Sequence, residues 1–328
     1  MQNILIIRTS SLGDIIHTLP AFTALRKKFP AARIAWVVEG KGKDILDFIR
    51  GIDEIVVVGS PGWRKKLKNP DQAAFDFQGL LKSGFIARIS GSRKRIGFHR
   101  KNLKEPSAAL FYTDRLEEVS EADHVIGKNL RLLRLIGISE DKYEFSLEVP
   151  ETLRHSVKKK IADITPPAGK RLVLFNVGAA WQTKRWFAES WIAVLNDLKN
   201  DPITPLLLWG TPEEEILAKS VSQSTGVPIA PFLSVQESLA LIKESALVVS
   251  GDTFAMQAAC ALSVPVVGIF GPTTPRRNGP FHSRDKFAYH EIACSSCYKR
   301  SCDSMDCLKL VTPAEVTAMI RTSLKENA

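Results

Sequence analysis

Short apolar segments alternate with segments of helical periodicity along the whole chain. In the first half, this pattern predicts strands at residues 4–7, 33–38, 55–58, 74–77 and 95–97, and helices at residues 14–27, 80–89 and 121–135. In the second half, it predicts strands at residues 171–175, 205–209, 247–250 and 264–270, and helices at residues 190–198, 213–221, 234–245, 253–261 and 312–324. Alternation of this kind is typical of α/β proteins with mostly parallel, doubly wound sheets.

The pattern breaks between residues 149 and 171, near the middle of the 328-residue chain. A basic helix predicted at residues 157–161 leads into Thr165-Pro166-Pro167-Ala168-Gly169. Two prolines and a glycine end a helix and are typical of a linker. We therefore expect two α/β domains, at residues 1–160 and 170–328, with a cleft between them.

Hydropathy argues against insertion into or passage through a membrane. No apolar run approaches the length of a spanning helix. Arg8 and Asp14 interrupt the segment that would have to be the apolar core of a signal peptide. The sequence therefore predicts a cytoplasmic protein.

Positive charge is concentrated in one part of the first half. The net charge is +10, and the segment from Arg64 to Lys104 holds twelve Lys or Arg residues against two acidic ones, Asp71 and Asp76. Such a patch attracts a polyanion, which could be nucleic acid, an anionic membrane surface or a phosphorylated substrate. A merely solvated basic face has the same composition, so charge alone does not choose among these interpretations.

Four of the five cysteines are close together in the sequence. Cys294, Cys297, Cys302 and Cys307 form a C-x2-C-x4-C-x4-C cluster, whereas Cys260 lies alone in an apolar helical segment. In a reducing compartment, such a cluster indicates a metal such as zinc before disulfides. The spacing differs from that of two separated C-x-x-C knuckles, so reduced structural thiols in a loop are the favoured alternative.

The first strand-to-helix turn, residues 8–17, places a carboxylate where ligands bind in open α/β sheets. Asp14 lies in this turn, at the start of the first predicted helix. It could act as the N-cap of that helix or as a catalytic group. From the turn alone, the capping role is the favoured interpretation.

Four turns of the second half follow predicted strands and so belong to one edge of a sheet: residues 176–186, 209–215, 250–253 and 271–273. The first offers small residues with Lys184 and Arg185, which suit a phosphate, and the next two offer carboxylates for sugar hydroxyls. Each turn alone is explained as well by solvated cations or helix caps. Together they predict a pocket for a nucleotide diphosphate that carries a hydroxyl-rich group. Neither half has a G-x-G-x-x-G or P-loop motif, which argues against nicotinamide dehydrogenases and nucleoside triphosphatases.

Eight motifs spread along the chain are shared with one enzyme family. They are T-S-S-L-G-D-I-I-H-T-L-P at residues 9–20, W-V-V-E at 36–39, F-Q-G-L-L-K-S at 77–83, E-P-S-A-A-L-F-Y at 105–112, K-R-W at 184–186, W-G-T-P-E-E-E at 209–215, D-T at 252–253 and G-P-T at 271–273. On these motifs the sequence resembles the glycosyltransferase family 9 heptosyltransferases, most closely the members that add the first heptose of lipopolysaccharide.

The resemblance implies a GT-B fold, in which two Rossmann-like domains with parallel sheets face a central cleft. The acceptor is expected on the N-terminal domain and the nucleotide sugar on the C-terminal one. The implied reaction is the inverting transfer of L-glycero-D-manno-heptose from ADP-heptose to the first Kdo sugar of lipid A, in inner-core synthesis. No cofactor is required besides the ADP-heptose substrate, and the sequence lacks the D-x-D motif that would indicate a diphosphate-bound divalent ion.

The resemblance also assigns site residues position by position. Asp14 matches the general base. The donor-binding positions are Lys184, Arg185, Glu214, Asp252, Thr253, Gly271 and Thr273. The acceptor-binding positions are Ser11, Gly13, Trp63, Arg64, Lys65, Lys82 and Lys104, the last of which is usually Arg. The basic patch then has as its partner the anionic Kdo-lipid A acceptor at the cytoplasmic face of the inner membrane, and nucleic acid is not expected.

The chain departs from the family pattern beside the donor. Where the family usually reads D-T-G-x-x-H, this sequence reads Asp252-Thr253-Phe254-Ala255-Met256-Gln257, which alters the expected donor pocket. One alternative is therefore a family member that uses another nucleotide sugar or adds to a later core oligosaccharide acceptor, as in heptosyltransferase II, whose relatives have a similar cysteine cluster. A second alternative is a non-catalytic polyanion-binding protein.

Overall fold

A computed structural model describes residues 1–164 and 167–327. The chain divides into two compact units, Met1–Glu148 and Val149–Ala328. Within the described residues, no helix is both long enough and apolar enough to cross a bilayer. Of the predicted linker, Thr165 and Pro166 lie outside the described residues.

The first unit is built on a six-stranded parallel sheet with the strand order β3-β2-β1-β4-β5-β6. Its strands are β1 (Asn3–Ile7), β2 (Arg33–Val38), β3 (Glu54–Val57), β4 (Gln72–Asp76), β5 (Lys94–Gly97) and β6 (Asp114–Arg115). Its helices are α1 (Leu12–Lys28), α2 (Gly40–Leu46), α3 (Trp63–Leu67), α4 (Leu81–Ile89) and α5 (Val125–Leu132), with 3-10 helices at Arg100–Asn102, Pro106–Phe111 and Leu133–Ile136. Because strand order reverses beside β1, the carboxyl ends of β1 and β4 border the crevice where such sheets bind ligands.

The second unit repeats this design with a five-stranded parallel sheet of order β8-β7-β9-β10-β11. Its strands are β7 (Arg171–Asn176), β8 (Ile203–Leu208), β9 (Leu247–Gly251), β10 (Val266–Ile269) and β11 (Lys286–Ala288). Its helices are α6 (Glu151–Lys160), α7 (Ala188–Asp197), α8 (Pro212–Thr225), α9 (Val235–Glu244), α10 (Phe254–Ala261), α11 (Pro275–Asn278), α12 (Asp306–Lys309) and α13 (Pro313–Glu326), with 3-10 helices at Ala162–Ile164 and Gln182–Lys184. Here the order reverses between β7 and β9, so their carboxyl ends border the equivalent crevice.

Each sheet is a buried layer covered by helices. The inner strands are almost wholly apolar, as parallel strands buried on both faces require. In the second unit, the Trp191 ring lies edge-on to Trp186 and Phe175, with ring centroids 5.1 and 6.3 Å apart. These rings belong to the core between β7, α7 and α13. The prediction of α/β architecture with parallel sheets is confirmed.

The change of unit comes earlier than the sequence pattern suggested. Helix α6, which the prediction placed in the first domain, packs against α9 of the second unit. Arg154 of α6 pairs with Glu244 of α9, and Lys158 Nζ lies 2.5 Å from the same carboxylate. Sequence composition marked the Pro-Gly segment after α6, whereas packing divides the chain before it, at Glu148.

Several short elements are absent from the sequence predictions. Helices α2, α3, α11 and α12 have four to seven residues, and strands β6 and β11 have two and three, which is too short for a periodicity to show. The helix expected at residues 121–135 begins only at Val125, where the His124 ring accepts a hydrogen bond from the Ile126 N–H, and its last turn is 3-10.

Candidate active site

Asp14 lies in the first turn of α1, immediately after the central strand β1. The N-cap of this helix is Ser11, so the expected capping role of Asp14 is corrected: Asp14 is the third helical residue. Its carboxylate accepts hydrogen bonds from the Ser11 hydroxyl at 2.9 Å and from the Ser11 N–H at 3.2 Å. Asp14 thereby closes the helix start from inside, as in a capping box.

The charge of Asp14 is balanced by a neighbour from β1. Arg8 Nη2 lies 2.6 Å from Asp14 Oδ1, and the side chains of Arg8 and Asp14 are 9% and 37% exposed. Partial burial acts to raise the pKa of Asp14, but the charges of Arg8 and His17 and the hydrogen bonds from Ser11 outweigh it and hold the pKa below its usual range. Asp14 is therefore an ionised carboxylate at neutral pH that remains accessible to a ligand.

The loop between β1 and α1 is held by residues that follow β4. Gln78 Oε1 accepts hydrogen bonds from the backbone N–H groups of Thr9 at 2.9 Å and Ser10 at 3.2 Å. The Arg8 guanidinium donates to the carbonyl of Phe77. Sequence reasoning assigned no role to Arg8 or Gln78, although both lie in or beside shared motifs.

Behind this loop, the buried carboxylate of Asp76 organises the start of α4. It accepts hydrogen bonds from the hydroxyls of Ser83 and Tyr112, both at 2.8 Å, and from the N–H of Gln78 at 2.9 Å. Burial raises the pKa of Asp76 against the effect of these donors. Burial and the Asp76 charge also raise the pKa of Tyr112, which therefore stays a hydroxyl donor. This network fixes Gln78, and through Gln78 the loop before Asp14.

The predicted acceptor residues follow the carboxyl ends of four strands of the first unit and so belong to one edge of its sheet. Ser11 and Gly13 follow β1, Trp63-Arg64-Lys65 form the first turn of α3 after β3, Lys82 follows β4 and Lys104 follows β5. Among the described residues, Ser11 contacts Asp14 directly, whereas Lys82 Nζ pairs with Glu39 at 2.7 Å. The Arg64 guanidinium lies 5.4 Å from the centroid of the Trp63 ring.

In the second unit, the structure brings Lys184 and Asp252 together. Lys184 Nζ lies 2.6 Å from Asp252 Oδ2, with exposed fractions of 15% and 8%, and 4.4 Å from the centroid of the Trp181 ring. Asn278 Nδ2 also lies 3.3 Å from Asp252 Oδ2. The predicted phosphate-binding lysine is thus held between a carboxylate and an aromatic face.

The turns after β7 and β9 are joined by a polar network. Asn176 Nδ2 lies within hydrogen-bond distance of Gly178 O at 3.0 Å, Ser250 Oγ at 3.1 Å and Thr253 Oγ1 at 3.2 Å. Ser250 Oγ and Thr253 Oγ1 are 2.8 Å apart. The hydroxyl of Thr253, a predicted donor contact, therefore takes part in holding its own turn. Asn176 and Ser250, for which no role was predicted, connect the two strands at the switch point of the sheet.

Glu214 connects the turns after β7 and β8. It is buried, and its Oε2 accepts a hydrogen bond from the Gly210 N–H at 2.8 Å. A Cβ at residue 178 would lie 2.3 Å from the carboxyl carbon of Glu214, so a side chain at this position would displace the Glu214 carboxylate. Arg185 donates from Nε to the carbonyl of Ala179 at 2.7 Å. Both predicted donor residues thus also shape the loop that would meet a phosphate.

Gln257, one of the residues that depart from the family pattern, is connected to Asp252 through Asn278 of α11. Gln257 is buried, and its Nε2 donates to the carbonyl of Asn278 at 2.7 Å, while the Asn278 amide reaches Asp252. Among the described residues, Gln257 Oε1 and the buried hydroxyl of Thr273 have no hydrogen-bond partner. Gln257 therefore contacts the predicted donor pocket indirectly, through Asn278.

The cysteine-containing segment lies against the same turns. The Thr183 hydroxyl donates to the carbonyl of Lys299 at 2.7 Å, and the Tyr298 N–H donates to the carbonyl of Pro272 at 3.1 Å. Arg300 lies 5.1 Å from the centroid of the Trp181 ring. Within the part of the chain that the structure describes, no three His, Cys, Asp or Glu side chains are already assembled around a metal position.

A surface cavity of the second unit lies elsewhere. Lys158, Lys170, Arg171 and Glu244 line it. Arg171 begins β7, so this cavity opens at the amino ends of the strands, opposite the edge that holds Lys184 and Asp252. Helix α6 pairs its cations with Glu244 there, which assigns the cavity to the packing of that helix.

Comparison with known proteins identifies the relatives of this chain. The model of glycosyltransferase family 9 (heptosyltransferase) matches residues 63–308. Lipopolysaccharide heptosyltransferase 1 of Pseudomonas aeruginosa is 27% identical over 322 residues, which cover 92% of this chain and 87% of the relative.

Two solved structures share the fold over the full chain. Escherichia coli heptosyltransferase WaaC with ADP has a TM-score of 0.76 at 22% identity, with 100% of this chain and 99% of that chain covered. Escherichia coli ADP-heptose lps heptosyltransferase II has a TM-score of 0.79 at 18% identity, with 100% of both chains covered. These similarities confirm the predicted GT-B fold class.

Proposed function

Because the chain belongs to glycosyltransferase family 9, the heptosyltransferases, we propose that it transfers L-glycero-D-manno-heptose from ADP-heptose to a Kdo sugar of lipid A, with inversion at the anomeric carbon. The chain is a glycosyltransferase of lipopolysaccharide core synthesis. This excludes the alternative of a non-catalytic polyanion-binding protein. The choice of donor, acceptor and stereochemistry rests on the residues discussed below.

The observation that carries the proposal is the ionised, accessible carboxylate of Asp14. A carboxylate has about four acceptor directions, and the contacts from Arg8 and Ser11 use three of them. The remaining direction suits an acceptor hydroxyl. Because a sugar hydroxyl is a poor nucleophile, a base within hydrogen-bond reach that takes its proton accelerates attack.

In the proposed step, the acceptor oxygen forms a bond to the anomeric carbon while its proton passes to Asp14. The bond between that carbon and the diphosphate oxygen breaks, and ADP leaves with the bonding electrons. Attack opposite the leaving group inverts the anomeric configuration. Arg8 keeps Asp14 ionised before the reaction, and Gln78 holds the loop that positions both residues.

Lys184 is the proposed partner of the donor diphosphate. Its ammonium already neighbours Asp252, so a diphosphate would share a preorganised cation rather than order a flexible one. The backbone N–H groups at the start of α10, an eight-residue helix, favour the same negative charge. We propose that these groups stabilise departing ADP without a divalent ion.

A decisive experiment offers the purified enzyme a panel of nucleotide sugars with Kdo-lipid A or with a heptosylated core as acceptor. We expect ADP release and product formation with ADP-L-glycero-D-manno-heptose and Kdo-lipid A in the absence of added magnesium or manganese. Preference for another donor or for the heptosylated core would contradict the specific proposal.

The alternative of a different donor or a later acceptor keeps one specific observation in its favour. Gln257 contacts Asn278, which in turn contacts Asp252, so a change from the usual histidine reaches the donor side of the site. The Gln257→His variant in the same panel tests this alternative. A changed ranking of donors in that variant would support it.

We also propose that the first unit docks on the anionic inner-membrane surface through α4 and the neighbouring 3-10 helix. Leu81, Phe85 and Leu110 are 45%, 50% and 84% exposed. The Phe85 and Phe111 rings lie 6.4 Å apart, so the two helices present one apolar patch. Lys82 and Arg88 are exposed on α4, and Lys104 is exposed in the segment that precedes the 3-10 helix. Apolar residues among cations are typical of an interfacial binding surface.

Sedimentation with vesicles tests this docking surface. Phe85→Glu and Leu110→Glu should weaken binding to phosphatidylglycerol vesicles by about tenfold, because each loses apolar burial and adds repulsion. Ile216→Glu is the matched control, since Ile216 is 70% exposed on α8 of the second unit. Equal binding by all three variants and the unmodified enzyme would contradict the surface.

A further inference from the structure

Residues 294–307, named here the cysteine finger, carry four thiols that the proposed reaction does not use. We propose that Cys294, Cys297, Cys302 and Cys307 bind one divalent metal ion as a tetrahedral tetrathiolate site, and that this ion holds Arg300 over the donor turn. Zinc is the expected ion. Iron satisfies the same four-sulfur chemistry and is distinguished by the test below.

The finger contains little regular secondary structure. Residues 289–305 lie between β11 and α12 and contain neither helix nor strand, and none of them is buried. Met305 and Cys307 pack against the core of the second unit, but residues 294–304 have neither helix nor strand to order them. Small segments of this kind are commonly held by a metal or by disulfides, and all five cysteines are free thiols here.

The backbone of the finger is nevertheless specific. Ser296, Tyr298 and Met305 have φ values of 57°, 52° and 48°, in the left-handed region that non-glycine residues rarely adopt. Such conformations persist only where their surroundings hold them. Two of these residues flank Cys297, so the chain turns sharply at the C-x2-C pair.

Two of the four sulfurs are already held by neighbouring groups. The Met305 N–H donates to Cys302 Sγ at 3.4 Å. Cys307 is half-buried, and a Cβ added at Gly271 would lie 3.2 Å from its sulfur, so Cys307 is anchored on the donor turn. Cys294, Cys297 and Cys302 are exposed and can turn towards an ion bound by Cys307.

The spacing suits one ion shared by all four sulfurs. Intervals of two, four and four residues are short enough to wrap a single ion, whose bonds to sulfur are about 2.3 Å long. The exposed sulfurs must turn to reach this geometry, because the described residues show no assembled ligand group. Binding releases the thiol protons, so metal affinity should fall as pH decreases.

The expected effect of the metal ion on donor binding rests on the proposed function. Lys299 accepts a hydrogen bond from Thr183, and Tyr298 donates to Pro272, so the middle of the finger lies across two turns of the site. Arg300 lies over Trp181 on the ring that Lys184 also contacts. An ordered finger would thus add a second cation beside the proposed diphosphate position.

Metal analysis of the full-length enzyme tests the site without any activity measurement. We expect about one equivalent of zinc or iron per chain, with a visible thiolate-to-iron absorption only if the ion is iron. Cys297→Ser and Cys302→Ser should retain less than about a fifth of that metal, while Cys260→Ser, outside the finger, should retain all of it. Metal-free enzyme that stays metal-free after zinc addition, or disulfides among the four cysteines, would overturn the proposal.

Calorimetric measurement of ADP binding tests whether the metal ion positions Arg300 at the donor turn. Arg300→Ala should keep its metal but bind ADP about fivefold more weakly, because it loses one cation on the Trp181 ring. Cys297→Ser should weaken ADP binding similarly, through loss of metal. Unchanged ADP affinity in a metal-free Cys297→Ser would overturn the role of the ion at the donor turn. Because ADP is the probe, this result stands apart from which sugar and acceptor the enzyme uses.

Discussion

Asp14 in the first unit and Asp252 in the second occupy comparable places but differ in accessibility. Each follows a strand at the switch point of its sheet, and each lies 2.6 Å from a cation, Arg8 or Lys184. The Asp14 side chain is 37% exposed, whereas that of Asp252 is only 8% exposed. Asp252 is further enclosed by Asn278.

This difference in exposure indicates that the two carboxylates, although they lie in the same type of turn, have different roles. The cation beside Asp14 is nearly buried and the carboxylate is accessible, so the acid can meet substrate. In the second unit, the carboxylate is the more buried partner, and the lysine ammonium retains a face for a ligand. We therefore expect Asp14 to act in chemistry and Asp252 to position Lys184 for binding.

The largest effects are expected from variants that neutralise each of the two acids, and they test the different roles of Asp14 and Asp252 directly. Asp14→Asn should lower kcat about a thousandfold with ADP affinity retained, because a general base is lost while the donor residues remain. Asp252→Asn, its matched counterpart, should weaken ADP binding more than it lowers kcat. Steady-state kinetics and calorimetry check both variants. Near-normal turnover in Asp14→Asn would refute the assignment.

Removal of each cation should further distinguish the roles of the two units. Lys184→Met should reduce kcat/KM for the nucleotide sugar about a hundredfold, since it deletes a charged partner of phosphate. The matched Arg8→Met variant should leave ADP affinity unchanged, because Arg8 belongs to the other unit. Comparison of donor KM and ADP affinity in the two variants measures this effect. Equal losses of ADP affinity would contradict the division of roles.

The hydrogen bonds that support the two turns should contribute differently to the free energy of unfolding. Tyr112→Phe removes a hydroxyl donor from the buried Asp76 carboxylate and should lower the free energy of unfolding by about 2 kcal/mol. Ser250→Ala removes a contact between neutral groups and should cost about 1 kcal/mol. Urea denaturation of both variants gives these values. A Tyr112→Phe variant as stable as the unmodified protein would show that Asp76 does not depend on this donor.

The smallest expected effect is on the pH profile of the first unit. Arg8 holds the pKa of Asp14 low, so the base stays ionised, and active, as pH falls towards that value. In Arg8→Met the pKa rises, and the acidic limb of kcat/KM should move to higher pH. A profile recorded with saturating donor would show this shift. An unmoved limb would mean that another group controls the acidic limb.

Much of the architecture follows from local pattern. Alternation of apolar runs and helical repeats predicted the central strands and long helices of both sheets, because buried parallel strands are almost wholly apolar. The resemblance pointed to Asp14, Lys184 and Asp252, and the structure shows Lys184 paired with Asp252. The catalytic and binding roles of these residues remain predictions that the variants above address.

Other features have no local signal. The division at Glu148 depends on the packing of α6 against α9, which composition around the Pro-Gly segment does not reveal. Asn176 and Ser250 are ordinary polar residues in the sequence, 74 positions apart, until adjacent strands bring them together. Short elements such as α3 are set by the strands they follow rather than by a periodicity of their own.

Asp14 shows most directly what the sequence determines and what the tertiary structure determines. By itself, the sequence determined that a carboxylate follows the first strand and begins a helix, because that is encoded in neighbouring residues. Only the tertiary structure decided that Ser11 is the cap, that Arg8 balances the charge, and that Gln78, 69 positions from Thr9, holds the loop. Arg8 and Ser11 are close to Asp14 in the sequence, but the loop that carries them is held by Gln78, which only folding brings beside Thr9 and Ser10.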